Sequence, residues 1–118
     1  MDWNTYRRLA LRTAGSTSAP RDRLVMGALG LSGEAGEVTD HVKKIVFQGH
    51  EIDRAALMNE LGDVMWYVTY LLDTLGLEMD DVLAANIAKL QARYPDGFDP
   101  QRSRSREGDA TDATDEQS

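Results

Sequence analysis

The chain has no cysteine, which excludes disulfides and thiol chemistry and agrees with a cytoplasmic protein. It has no basic surplus either: 13 Lys and Arg stand against 20 Asp and Glu, a formal net charge of −7. The residues from Gln101 onward hold three Arg and five acids, so they contribute −2 and the first hundred −5. No basic stripe is available to hold a nucleic-acid polymer, although an acidic protein can still bind a small anion through metal ions. Long apolar runs are missing: Val64 to Leu72, the most apolar stretch, is about half the length a membrane span needs. The opening MDWNTYRR has no apolar signal core. No segment alternates with period two for long, which argues against strands. A soluble, intracellular domain with a single core is the expectation.

What is present reads as helices. Asp2 can cap a first helix whose Trp3, Tyr6, Leu9, Ala10 and Thr13 share a face. GSTSA, residues 15–19, is a loop, and Pro20 suits the first turn of a second helix running to about Phe47, with Gly49 placed to end it. Asp53 caps a third helix that runs to about Leu75, and Gly76 stops it. Asp80 and Asp81 suit the start of a fourth, with a seam of Leu83, Ile87, Leu90 and Tyr94 that Pro95 closes. Beyond Pro100 no large apolar residue occurs. Residues 1–100 are therefore the expected domain and 101–118 a disordered polar tail.

Two carboxylate pairs organise the middle of the chain: Glu34 and Glu37 in GLSGEAGEV, and Glu60 and Asp63 in NELGDV. Spacing of i, i+3 puts both members of a pair on one helix face. On the second helix Leu24, Ala28, Leu31, Ala35, Val38, Val42 and Ile45 form an apolar seam; on the third, Leu57, Leu61, Val64, Val68, Leu71 and Leu75 do. Each acid precedes a seam position by one residue. Antiparallel packing about a turn near Gly49 brings the four acids to nearly the same height, offset by roughly 3 Å. From Ala55 to Ala88 there is no Lys or Arg, so Glu60 and Asp63 have no cation on their own helix, and unpaired partly buried charge is costly. Single i, i+3 acid pairs are usually solvated; two matched pairs point to a metal site. Oxygen-only ligands select a hard ion, Mg²⁺ or Mn²⁺.

The stripe continues past the acids as Gly27, Gly30, Glu34, Glu37, His41 and Lys44, and on the third helix as Glu60, Asp63, Tyr67 and Tyr70. The glycines cost about 1 kcal/mol each in helix propensity, which either close approach of another group or loose packing would accommodate. Tyr67 and Tyr70, with Trp66 beside them, could line a slot for a flat base; core packing is the plainer role for Trp66. Lys44 is a candidate anion contact, and a lone His41 is more often structural. Asn86, Lys89 and Arg93, at i, i+3 and i+7, form a stripe of amide, ammonium and guanidinium suited to polyphosphate.

GLSGEAGEV-x-D-x-VKK, NELGDVMWY and NIAKLQARYPDGF, in that order from about Leu24 to Phe98, resemble the all-α nucleoside triphosphate pyrophosphohydrolases, the MazG-like group. The resemblance implies magnesium bound by Glu34, Glu37, Glu60 and Asp63, and substrate contacts from Asn86, Lys89 and Arg93. It implies an all-α, four-helix bundle-type domain completed as a homodimer or homotetramer. It also implies hydrolysis of a (deoxy)nucleoside triphosphate to monophosphate and pyrophosphate. Many members carry a second Glu where this chain has Gly33. Three alternatives stand beside this reading. One is a phosphoribosyl-ATP pyrophosphohydrolase, and another is a non-catalytic helical interaction module. The third, a di-iron carboxylate bundle, usually needs Glu-x-x-His, and neither His41 nor His50 has a Glu three positions before it.

Overall fold

The computed structural model describes residues 1–15 and 19–105. Its helices are α1 (Trp3–Ala10), followed by a 3₁₀ turn (Leu11–Thr13), α2 (Pro20–Phe47), α3 (Arg54–Leu75) and α4 (Met79–Arg93). No strand occurs among the described residues; the one β feature is an isolated bridge between Pro95 and Gly97. The chain is therefore all-α, as its periodicity predicts.

The helix boundaries follow local chemistry. Asp2 accepts a hydrogen bond from the Thr5 amide at 2.8 Å, and Asp53 one from the Ala56 amide at 3.0 Å, so each satisfies an amide that the first turn leaves unpaired. Pro20 opens α2. Gly49 and Gly76, with φ of 70° and 68°, take the left-handed conformation that ends α2 and α3 at little cost. Past the expected domain end, residues 100–105 are helical. Asp99 begins that turn, accepting from the Gln101 amide at 2.9 Å. The rest of the expected tail, 106–118, lies outside the described residues, as do positions 16–18 of the expected loop.

The chain divides into two compact units, Met1–Met79 and Asp80–Ser118. In the first, α2 and α3 pair with partners in opposite order along the two helices. Arg23 bonds Asp73 at 3.1 Å. A Cβ on Gly27 would lie 2.5 Å from Leu71 Cδ2, and one on Gly30 would overlap the Tyr67 ring. His41 reaches Glu60. The pair is thus antiparallel, as expected. The α1 helix closes a second side of α3: the Trp3 indole donates to Thr69 Oγ1 at 3.2 Å and the Trp66 indole to the Ala10 carbonyl at 3.0 Å. Thr69 and Tyr70 are the most completely buried residues there.

The face of α2 that meets α3 differs from the expected seam. Arg23, Gly27, Gly30, Glu34 and His41 turn toward α3; of the expected seam Leu31, Val38 and Ile45 are half-buried, whereas Leu24, Ala28, Ala35 and Val42 are exposed. A helix turns by about 100° per residue, so the seam and the acid stripe are separate faces of one cylinder. The glycines decide between them. Rings can lie against an α2 backbone that carries no side chain at Gly27 and Gly30.

In the second unit, the α4 seam residues Leu83, Ile87 and Leu90 are exposed, while Tyr94 packs on Phe98 with ring centroids 5.6 Å apart.

Gly30→Ala should lower the melting temperature, because an added methyl that cannot be accommodated costs about 1–3 kcal/mol. Gly36→Ala, with nothing within 4 Å of the new Cβ, should raise it through helix propensity, by up to about 1 kcal/mol. Thermal unfolding of both variants checks the assigned face; equal shifts would contradict it.

Candidate functional site

Seating Tyr67 on Gly30 fixes the rotation of both helices, and one turn further along α2 this brings Glu34 opposite Glu60 and Asp63. One oxygen from each of Glu34, Glu60 and Asp63 lies within 4.8 Å of the others. Glu34 and Glu60 are partly buried and Asp63 is exposed. Glu37 is exposed and outside this trio. Three residues on from Glu34, it is rotated by about 300°, or roughly 60° away from the face that meets α3. Its charge still reaches the site. Partial burial pushes the Glu34 carboxyl above its ordinary pKa, and repulsion from Asp63, Glu60 and Glu37 adds to the effect. The Tyr6 phenol is likewise raised, by burial and by the Asp63 charge, so it stays a protonated donor at neutral pH.

The donor set suits a hard divalent cation. All three groups are carboxylates, and ligand oxygens about 2.1 Å from one Mg²⁺ are at most about 4.2 Å apart. The three oxygens, all within 4.8 Å of one another, are close to that limit, and the charge of a bound cation would offset their mutual repulsion.

Two concavities flank the trio. Glu34 and Asp63 themselves line one, a pocket of about 300 Å³ closed by Thr13, Trp66 and Tyr67. Trp66 stacks on Tyr70 with centroids 5.4 Å apart and meets Tyr67 edge-on at 4.9 Å, so the aromatic wall is braced. The other, about 460 Å³, lies at the α2–α3 turn and includes His41, Lys44, His50 and Leu57. It is larger, but none of the three clustered acids lines it. There Lys44 pairs with Asp40 at 3.0 Å, an interaction that holds the Asp40 carboxyl below the usual range.

The sequence-predicted residues therefore divide. Glu34, Asp63 and Tyr67 line one pocket, and Glu60 joins Glu34 and Asp63 in the acid cluster; Glu37 belongs to neither the lining nor the cluster. Lys44 lines the neighbouring cleft. Asn86, Lys89 and Arg93 lie on α4 in the second unit, where Asn86 and Lys89 are exposed and Arg93 is half-buried. Sequence reasoning missed two features: Thr13 as a wall of the acid pocket, and the contact between His41 and Glu60. The second left a faint signal, since His41 follows Glu34 by seven residues, two helical turns on the same face.

A relative, the "Gene 37 protein" of Mycobacterium phage L5, is 42% identical over 73 residues, covering 58% of this chain and 64% of that protein. The chain thus spans somewhat less than two thirds of that relative's length. No solved structure matches. The family model for the MazG nucleotide pyrophosphohydrolase domain matches residues 27–98, a stretch holding both acid pairs, Tyr67 and the Asn86, Lys89, Arg93 stripe. The acid trio between paired helices and this match together place the chain in the MazG nucleotide pyrophosphohydrolase domain family.

Proposed function

We propose that the protein hydrolyses nucleoside or deoxynucleoside triphosphates to the monophosphate and pyrophosphate, using Mg²⁺ or Mn²⁺, in the cytoplasm. Residues 1–100 would be the catalytic domain. The observation that carries this reading is the convergence of Glu34, Glu60 and Asp63 from two helices beside an aromatic-walled pocket. These three acids, together with Glu37, would hold the metal. Magnesium bound there supplies positive charge for phosphate oxygens and lowers the pKa of a water. One of the acids would accept a proton from the attacking water, while Tyr67 and Trp66 would offer flat surfaces to the base. Asn86, Lys89 and Arg93 would bind the phosphate chain and neutralise the departing pyrophosphate, and Lys44 is a further anion contact.

A panel of canonical, deoxy and oxidised nucleotides, with phosphoribosyl-ATP beside them, should show pyrophosphate release that requires the metal. In ¹⁸O-labelled water the label should enter the monophosphate; label in pyrophosphate, or diphosphate as product, would refute attack at the α-phosphorus. Lys89→Ala and Arg93→Ala should each reduce turnover by about 10- to 100-fold, the worth of one charge-assisted contact, with magnesium binding retained.

Homo-oligomerisation belongs to the same reading. The exposed seam positions of α2, with Val42 46% exposed, the neighbouring Leu29, 70% exposed, and the outer face of α3, with Met58 69% and Leu61 52% exposed, leave apolar surface that a second copy would cover. Sedimentation should give a dimer or tetramer; a stable, well-folded monomer at micromolar concentration would contradict it.

Glu34→Gln separates function from stability. Since folding raises the Glu34 pKa, the ionised carboxylate opposes folding above that raised value, and the penalty vanishes once pH falls below the ordinary 4.5 and the carboxyl is protonated in both states. Metal-free Glu34→Gln should therefore melt above wild type at pH 7, with the gap closing as pH falls toward 4. At the same time it should lose most turnover and most of the melting-temperature rise that magnesium gives the wild type. A variant less stable than wild type at pH 7 that keeps its magnesium response would exclude the metal site.

A further inference from the structure

One contact at the acid centre has no part in the chemistry above. His41 Nε2 stands 3.5 Å from Glu60 Oε1, across the α2–α3 interface, with the two side chains 31% and 22% exposed. That is longer than a settled N–H···O bond of about 2.9 Å, yet within the slack that active-site hydrogen bonds show before a ligand binds.

The surroundings single this contact out. No Lys or Arg lies between Ala55 and Ala88. The lysines next to His41 on α2 are both turned to Asp40, Lys44 at 3.0 Å and Lys43 at 3.5 Å. His41 therefore offers Glu60 a donor that neither lysine supplies. It does so from a position two turns beyond Glu34 on α2, and its ring also borders the 460 Å³ cleft, so it is not simply filling a close-packed core. A carboxylate has two oxygens. A His41 donor on Oε1 would leave the second oxygen for a cation shared with Glu34 and Asp63. Glutamate also has rotamer freedom to lose on ligation, and a partner that restricts it beforehand strengthens binding, as outer-sphere groups do at metal centres.

We propose that His41 is a positioning residue: its Nε2–H holds one oxygen of Glu60 so that the carboxylate is presented to the metal. The neutral ring suffices, because one N–H is all that the contact needs. This rests on the reading of Glu60 as a magnesium ligand.

The test is a magnesium titration of melting temperature on the full chain, for wild type, His41→Leu, His41→Asn and His41→Gln. Gln can place an amide N–H near the position of Nε2; Leu has no donor, and Asn is too short to reach. His41→Leu and His41→Asn should need about tenfold more magnesium for half of the stabilisation, whereas His41→Gln stays close to wild type and the metal-free melting temperatures change little. Because the magnesium midpoint is the readout, a variant that is merely less stable still reports on the contact, and His41→Asn decides if His41→Leu does not fold. Unchanged midpoints in the Leu and Asn variants, or a Gln variant shifted as far as they are, would overturn the positioning role while leaving the metal site intact. A wild type that ignores magnesium would remove the metal reading itself, and this proposal with it.

Discussion

The seating of the Tyr67 ring on the bare backbone at Gly30 governs the rest of the first unit. Glycine in mid-helix sacrifices about 1 kcal/mol of propensity, and here the loss opens a recess in α2 that a ring of α3 occupies. Gly27 repeats the arrangement one turn earlier, against Leu71 and Tyr70. Two recesses on one face define both the rotation of α2 and the register of α3. Glu34 follows Gly30 by four residues and so lies directly above it; Glu60 and Asp63 precede Tyr67 by seven and four. Packing that is apolar and aromatic in character thus places three like charges together.

Such a cluster opposes folding unless a cation joins it, and the raised Glu34 pKa records the conflict. Elsewhere in the first unit several charges find opposite partners: Arg7 with Glu78, Arg23 with Asp73, and Lys43 and Lys44 with Asp40. Glu34, Glu60 and Asp63 have no Lys or Arg partner among the described residues, and His41 makes the one ion-pair contact to them recorded there. Retained repulsion among three acids is the kind of perturbation that clusters at functional sites, and it supports the proposed metal role. Brought together, the acids, the braced aromatic wall of Trp66 and Tyr67, and the family match at residues 27–98 support one chemistry.

The first unit also extends its site beyond the matched stretch. Thr13, from the 3₁₀ turn after α1, closes the pocket that holds Glu34 and Asp63. The Trp66 indole bonded to the Ala10 carbonyl ties that turn to the aromatic wall. One residue therefore serves both packing and the pocket, so the two roles weighed for Trp66 are not exclusive.

Much of this was legible in the sequence because it depends on local chemistry. Asp2, Pro20, Asp53, Gly49 and Gly76 set helix ends through hydrogen bonds and dihedral preferences within a few residues. The i, i+3 acids share a face for purely geometric reasons, and the motif blocks announced the family. The choice of contact face was not legible. The apolar seam of α2 is the stronger periodic signal, yet the buried stripe is the one bearing glycines and acids, since close approach depends on what the opposing helix offers. For the same reason, only the tertiary structure separated Glu37 from the trio, brought Thr13 to the pocket and set His41 beside Glu60. Periodicity assigns residues to faces of a single cylinder; which faces meet, and which side chains then touch, is decided by the shapes of two.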